Sequence, residues 1–178
     1  MQAARGTALT KPRSLLVLLA LNTVVLDAAT KALVVAKLEH HEPIRLVNGL
    51  VTLEASRNSG AAFSFAQGAT VLFTLIALGV VVVIVRTLPR LRSPGWAVTL
   101  GLLLGGAIGN LIDRLTRAPG VGRGAVVDFI HLPHFATFNV ADSAITVGAV
   151  IAVLLSLRGI EIDGSHRKPA SDPGTMDG

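Results

Sequence analysis

Four apolar runs, each close to the ~20 residues that carry a helix across a bilayer, leave this chain few folds to adopt. They extend from about Leu15 to Leu38, Ala69 to Val85, Trp96 to Ile112 and Phe138 to Leu157. The second and fourth are rich in β-branched residues. In hydrocarbon, however, an open sheet would leave backbone groups unpaired, so all four are predicted to be helices. Composition agrees: 51% of the 178 residues are hydrophobic and 15% are charged, against about 25% charged in soluble domains. The first run is the least clean, because Asp27 and Lys31 interrupt it. Lys11 and Arg13 ahead of it, with Ala28 and Ala29 behind, also fit a cleaved signal peptide. Against that, apolar character resumes after Lys31 and continues to Leu38.

Charge sets the expected orientation. Arg5, Lys11 and Arg13 precede the first run, Arg86, Arg90 and Arg92 lie between the second and third, and Arg158, Arg167 and Lys168 follow the fourth. An even number of spans places these regions on one side, which the positive-inside rule makes cytoplasmic, both termini included. The bias is modest, since Arg45, Arg57, Arg114, Arg117 and Arg123 fall on the other side. The net charge of +5 does not point to nucleic acid, because the basic residues flank apolar runs and form no aromatic-studded stripe.

The outer loops differ in kind. Residues 39–68 contain IRLVNGLVTLEAS, two β-favouring runs around Asn48-Gly49, which is a strong hairpin signal. The fold class expected is therefore an all-α membrane protein of four transmembrane helices with a small extracytoplasmic β element in the first outer loop. Residues 115–137, with Pro119, Gly120, Gly122, Gly124 and Pro133, read as a flexible connection. Residues 1–158 form one four-helix domain on this reading, and the polar stretch 159–178 a disordered cytoplasmic tail.

The chemistry lies in the acids. Asp128 in GAVVDFI and Asp142 in FNVADSAI are expected near the ends of apolar helices, where carboxylates are costly. Asn139 also fits a helix N-cap, with Asp142 favoured by the helix dipole. Two carboxylates in a low-dielectric pocket cannot both ionise freely and share a proton, so one can act as base on water while the other polarises a carbonyl. Gly101, Gly105 and Gly109 recur every fourth residue and signal close helix packing. Asn110, Asp113 and Arg114 follow on one polar face, with an Arg114–Asp113 pair expected at the interface. The histidines show no HExxH pattern, and His131 and His134 flank Pro133 without an evident third ligand, so neither metal nor cofactor is expected. The chain has no Cys, and its serines lack a convincing base.

Five blocks then stand in order: Asp27-Ala-Ala-Thr30-Lys31, Asn58-Ser-Gly60-Ala61-Ala62-Phe63, Gly105-Gly106-Ala107-Ile-Gly109-Asn110-Leu-Ile-Asp113-Arg114, Val126-Val127-Asp128-Phe129 and Phe138-Asn139-Val140-Ala141-Asp142. Together they closely resemble lipoprotein signal peptidase, also called signal peptidase II, the four-helix membrane aspartic protease of bacteria. The resemblance covers residues 15 to 157, with no departure at a motif position. It implies that residues 1–158 are a four-helix transmembrane peptidase domain whose first helix is retained. It implies Asp128 and Asp142 as the catalytic pair. Asn58, Asn110, Arg114 and Asn139 would line the site, and Asp27 and Asp113 would support it. The implied substrate is a diacylglyceryl-modified prolipoprotein, cut just before the lipidated cysteine; its acyl chains are expected to lie along Gly101, Gly105 and neighbouring apolar residues. Membrane lipid is the other expected partner, nucleic acid is not one, and a monomer in the bacterial cell membrane is expected, with its site towards the outer face. The alternative drawn from intramembrane acids alone is a small proton-coupled transporter. A non-catalytic helical scaffold is a third reading, but it would not need paired acids.

Overall fold

The structure is a computed structural model and describes residues 11–60 and 66–167. In chain order it comprises α1 (Lys11–Leu38), β1 (Ile44–Leu46), β2 (Val51–Asn58), α2 (Ala66–Thr87), α3 (Pro94–Thr116), β3 (Val126–His131) and α4 (Val140–Leu157). All four helices are long and apolar enough to cross a membrane. Their large apolar side chains point outward: Leu18, Leu21 and Leu33 on α1 and Leu72, Leu75 and Val83 on α2 are exposed. In lipid that is the stable arrangement, because the surrounding tails are as apolar as the side chains.

The third helix is central and packs against the other three. Its glycines explain how. A Cβ on Gly105 would lie 2.6 Å from Thr23 Cβ and 2.8 Å from the Ala20 carbonyl oxygen of α1. On another face, a Cβ on Gly106 would lie 2.5 Å from the Ala141 carbonyl oxygen of α4. Hydrogen thus admits two backbones at once. Gly101 and Gly105 are buried against α1, so they do not offer the expected bed for acyl chains.

The β element is larger than the first loop alone. Strands β1, β2 and β3 form one antiparallel sheet in that order. The hairpin at Asn48-Gly49 forms, with Leu46 opposite Val51 and a 3-10 turn over Val47–Gly49. Asn48 (φ 53°) and Gly49 (φ 85°) supply the left-handed backbone that the turn requires. The second outer loop contributes β3, which pairs Asp128 with Ser56 of β2. Val127 and Phe129 of β3 pack with Val34 of α1 in a second apolar cluster, so this short apolar run is a strand and its loop is not a flexible connection. The buried Thr74 hydroxyl further pins the loop to α2 by donating to the Gly122 carbonyl at 2.9 Å.

Disorder from residue 159 is corrected as well. Ile160 pairs with His166, and the Ile162 carbonyl accepts from Arg92 N at 3.0 Å and Ser93 N at 3.1 Å. Trp96 Nε1 donates to the Ile160 carbonyl at 2.8 Å. Ile162 packs on the cluster of Leu16, Ile84, Leu91 and Ala97. The segment is polar in bulk, but the Ile162 side chain and the carbonyls of Ile160 and Ile162 dock it. Residues 168–178 of the expected tail lie outside the described residues.

Candidate active site

The site forms where the sheet meets the adjacent ends of α1, α3 and α4. Asn139 is fully buried at the N-cap of α4. Its side-chain oxygen accepts from Asp142 N at 2.9 Å, and Asp142 Oδ2 accepts from Asn139 N at 3.2 Å, a reciprocal capping box. The capping role and the site role coexist, because Asn139 Nδ2 is left to donate to Asp128 Oδ1 at 2.7 Å. Asn139 therefore bonds to both aspartates.

Each carboxylate has a further amide donor. Asn58, at the end of β2, donates to Asp128 Oδ2 at 2.8 Å, and Asn110 of α3 donates to Asp142 Oδ1 at 2.7 Å. Asp128 is 1% exposed and lies on a strand, not at a helix end as expected. Burial is the largest influence on its pKa and pushes it up to about 6. The Asn58 hydrogen bond opposes the shift, the charge of Asp142 adds to it, and the Asn139 hydrogen bond and Lys31 oppose it. Asp128 therefore exchanges its proton close to neutral pH.

A second layer holds the first. Lys31 Nζ contacts Asp27 Oδ2 at 2.7 Å, Asp113 Oδ2 at 3.0 Å and Asn110 Oδ1 at 3.1 Å. Asp27 Oδ1 accepts from Ala141 N at 3.0 Å and Asp113 Oδ2 from Val127 N at 3.2 Å. Each supporting aspartate thus grips the backbone one residue before an aspartate of the pair. The expected Arg114–Asp113 pair does not form, since Asp113 is taken by Lys31 and Arg117. Arg114 instead lies 5.7 Å from the Phe73 ring centroid, and its buried Nη1 has no hydrogen-bond partner among the described residues.

Asp142 opens on two clefts. One, of about 300 Å³, is lined by Phe73, Ala107, Asn110, Arg114 and Ile145. The other, of about 650 Å³, is lined by Asn58, Leu132, Phe135, Ser143 and Val147. Every expected site residue is therefore in or beside one cluster. Sequence reasoning missed the contributions of Gly106, Phe73 and the backbone N–H groups of Val127 and Ala141. For Gly106 the signal was present in the doubled glycine. For the backbone groups there was none. Ala61, Ala62 and Phe63 of the second block lie outside the described residues.

The family model for signal peptidase (SPase) II matches residues 19–158, which contain the whole cluster. The chain belongs to the signal peptidase II family. It is 56% identical over 149 residues to a lipoprotein signal peptidase of Streptomyces coelicolor, covering 84% of this chain and 73% of that one. It is 50% identical over 155 residues to the lipoprotein signal peptidase of Rhodococcus jostii, covering 87% and 78%. A bacterial membrane enzyme solved by the in meso method superposes with a TM-score of 0.71 at 28% identity, covering 82% of this chain and 94% of that one. Membership of the signal peptidase II family makes the chain a membrane peptidase, a hydrolase, and removes the transporter reading. It also removes the cleaved-signal reading of α1, whose Asp27 and Lys31 are built into the cluster.

Proposed function

We propose that this chain is an aspartic endopeptidase that removes the signal peptide of diacylglyceryl-modified prolipoproteins, cutting just before the lipidated cysteine. Asp128 and Asp142 are its catalytic pair. The observation that carries this reading is the single buried asparagine bonded to both carboxylates.

The chemistry follows from the pair. One carboxylate takes a proton from a water as its oxygen attacks the scissile carbonyl carbon. The other, protonated, gives its proton to the carbonyl oxygen, which spreads the developing charge. Collapse of the tetrahedral intermediate breaks the C–N bond, and a proton returned from the pair leaves with the cysteine amine. No metal is required, because the carboxyl pair activates water itself.

Binding is assigned to the flanking groups. Among the described residues Arg114 Nη1 is a buried donor without a partner, and the Arg114 side chain lines the cleft beside Asp142, where its guanidinium is placed to bind a substrate carbonyl. Asn58 and Asn110 hold the carboxylates and also line the two clefts. The apolar linings of these clefts suit a substrate whose lipid and signal helix stay in the bilayer. We assign both termini to the cytoplasm, the site to the outer face, and a monomer as the working unit. The test is mass spectrometry of a diacylglyceryl prolipoprotein after incubation with the purified enzyme. A new N-terminus at the lipidated cysteine supports the reading, and a cut elsewhere or none contradicts it.

A further inference from the structure

Lys31 is 1% exposed, and no step of bond breaking uses it. Its donors are satisfied by Asp27, Asp113 and Asn110. An ammonium has donors only, so the Asn110 atom that faces it must be the carbonyl oxygen. That choice turns the Asn110 NH2 towards Asp142, where it donates at 2.7 Å. Asn139 Nδ2 approaches the same Asn110 oxygen at 3.2 Å while it donates to Asp128. A flipped Asn110 would set its NH2 against an ammonium and a second amide NH2, and its carbonyl oxygen against a carboxylate. Without Lys31, only the Asn139 NH2 and the Asp142 carboxylate would oppose that flip. Lys31 also joins Asp27 to Asp113, the two residues that grip Ala141 N and Val127 N beside the pair.

We propose that Lys31 is a positioning residue for cleavage: it fixes which atom of Asn110 faces Asp142. The proposal rests on the reading of Asp128 and Asp142 as the reacting groups.

Removing a buried ammonium alone would strand two carboxylates, so the test starts from Asp27→Asn, in which Asp113 keeps Arg117 as its partner. In that background Lys31→Met is expected to lower kcat on a diacylglyceryl prolipoprotein ~100-fold with KM little changed, the loss typical of a misplaced catalytic group. In the same background carrying Asn110→Ala, Lys31→Met is expected to lower kcat by less than about threefold more, because its target is gone. Equal losses in both backgrounds would show that Lys31 acts independently of Asn110 and overturn the proposal. So would an unchanged kcat in the first background, or loss of the folded state in detergent on Lys31→Met there. Asp142→Asn, run in parallel, separates the two failures. If it is inactive, a negative result falls on Lys31 alone. If it is fully active, the reading of the pair falls and the proposal with it.

Discussion

Deleting residues 159–178 should destabilise the protein, whereas deleting residues 168–178 should not. The longer deletion removes the Ile162 carbonyl from Arg92 N and Ser93 N and the Ile160 carbonyl from Trp96 Nε1. It also uncovers the cluster of Leu16, Leu91 and Ala97 on which Ile162 rests. At about 1 kcal/mol net per hydrogen bond and a similar amount for a partly buried isoleucine, the loss is on the order of 3–4 kcal/mol. For a chain of this size that lowers the melting temperature by ~10 °C. The assay is thermal unfolding in detergent of the full chain and the two truncations, with kcat measured well below the transition. The docked segment lies at the end of the bundle away from the aspartates, so kcat per folded molecule should hold in both. A 159–178 deletion that melts with the full chain would refute the claim that this segment belongs to the folded core.

Other outcomes follow from the site and the packing. Because burial raises Asp128 from 3.8 to about 6, the folded state holds more protons than the unfolded one between those values, so stability should fall as pH rises from about 4 to about 6. Chemical denaturation across that range should show the slope in the wild type, with up to ~3 kcal/mol of it due to Asp128, and a shallower one in Asp128→Asn. Gly106→Ala would place a Cβ 2.5 Å from the Ala141 carbonyl oxygen. It should push α3 from α4, cost ~1–3 kcal/mol, and lower activity more than melting temperature, because Ala141 adjoins Asp142. A prolipoprotein lacking its diacylglyceryl group should be cleaved far more slowly than the lipidated form at equal concentration in detergent, since lipid binding energy orients the scissile bond. Equal cleavage of both would place recognition in the peptide alone.

The four helices were legible because a bilayer leaves an apolar run of that length almost no other structure. The acids were legible because each stands in an otherwise apolar context. The strand β3 was not, since VVDFI is too short for periodicity to separate strand from helix. Its pairing with β2 depends on Ser56, some seventy residues earlier in the chain. The partner of Arg114 was misjudged for a related reason. Neighbours on one helix suggested Asp113, and only the fold brings Lys31 of α1 close enough to compete. The docking of Ile160 and Ile162 was hidden by a polar composition that averages over the few residues that matter.

On the proposed mechanism, Asp128 and Asp142 together activate the water that cuts the peptide. The most direct measurement is single-turnover cleavage of a diacylglyceryl prolipoprotein by purified wild type, Asp128→Asn and Asp142→Asn, each checked for its folded state. Each substitution should lower the rate at least ~10³-fold while the protein stays folded in the membrane fraction, because neither carboxyl can serve without the other. Near-normal turnover in either variant would contradict it.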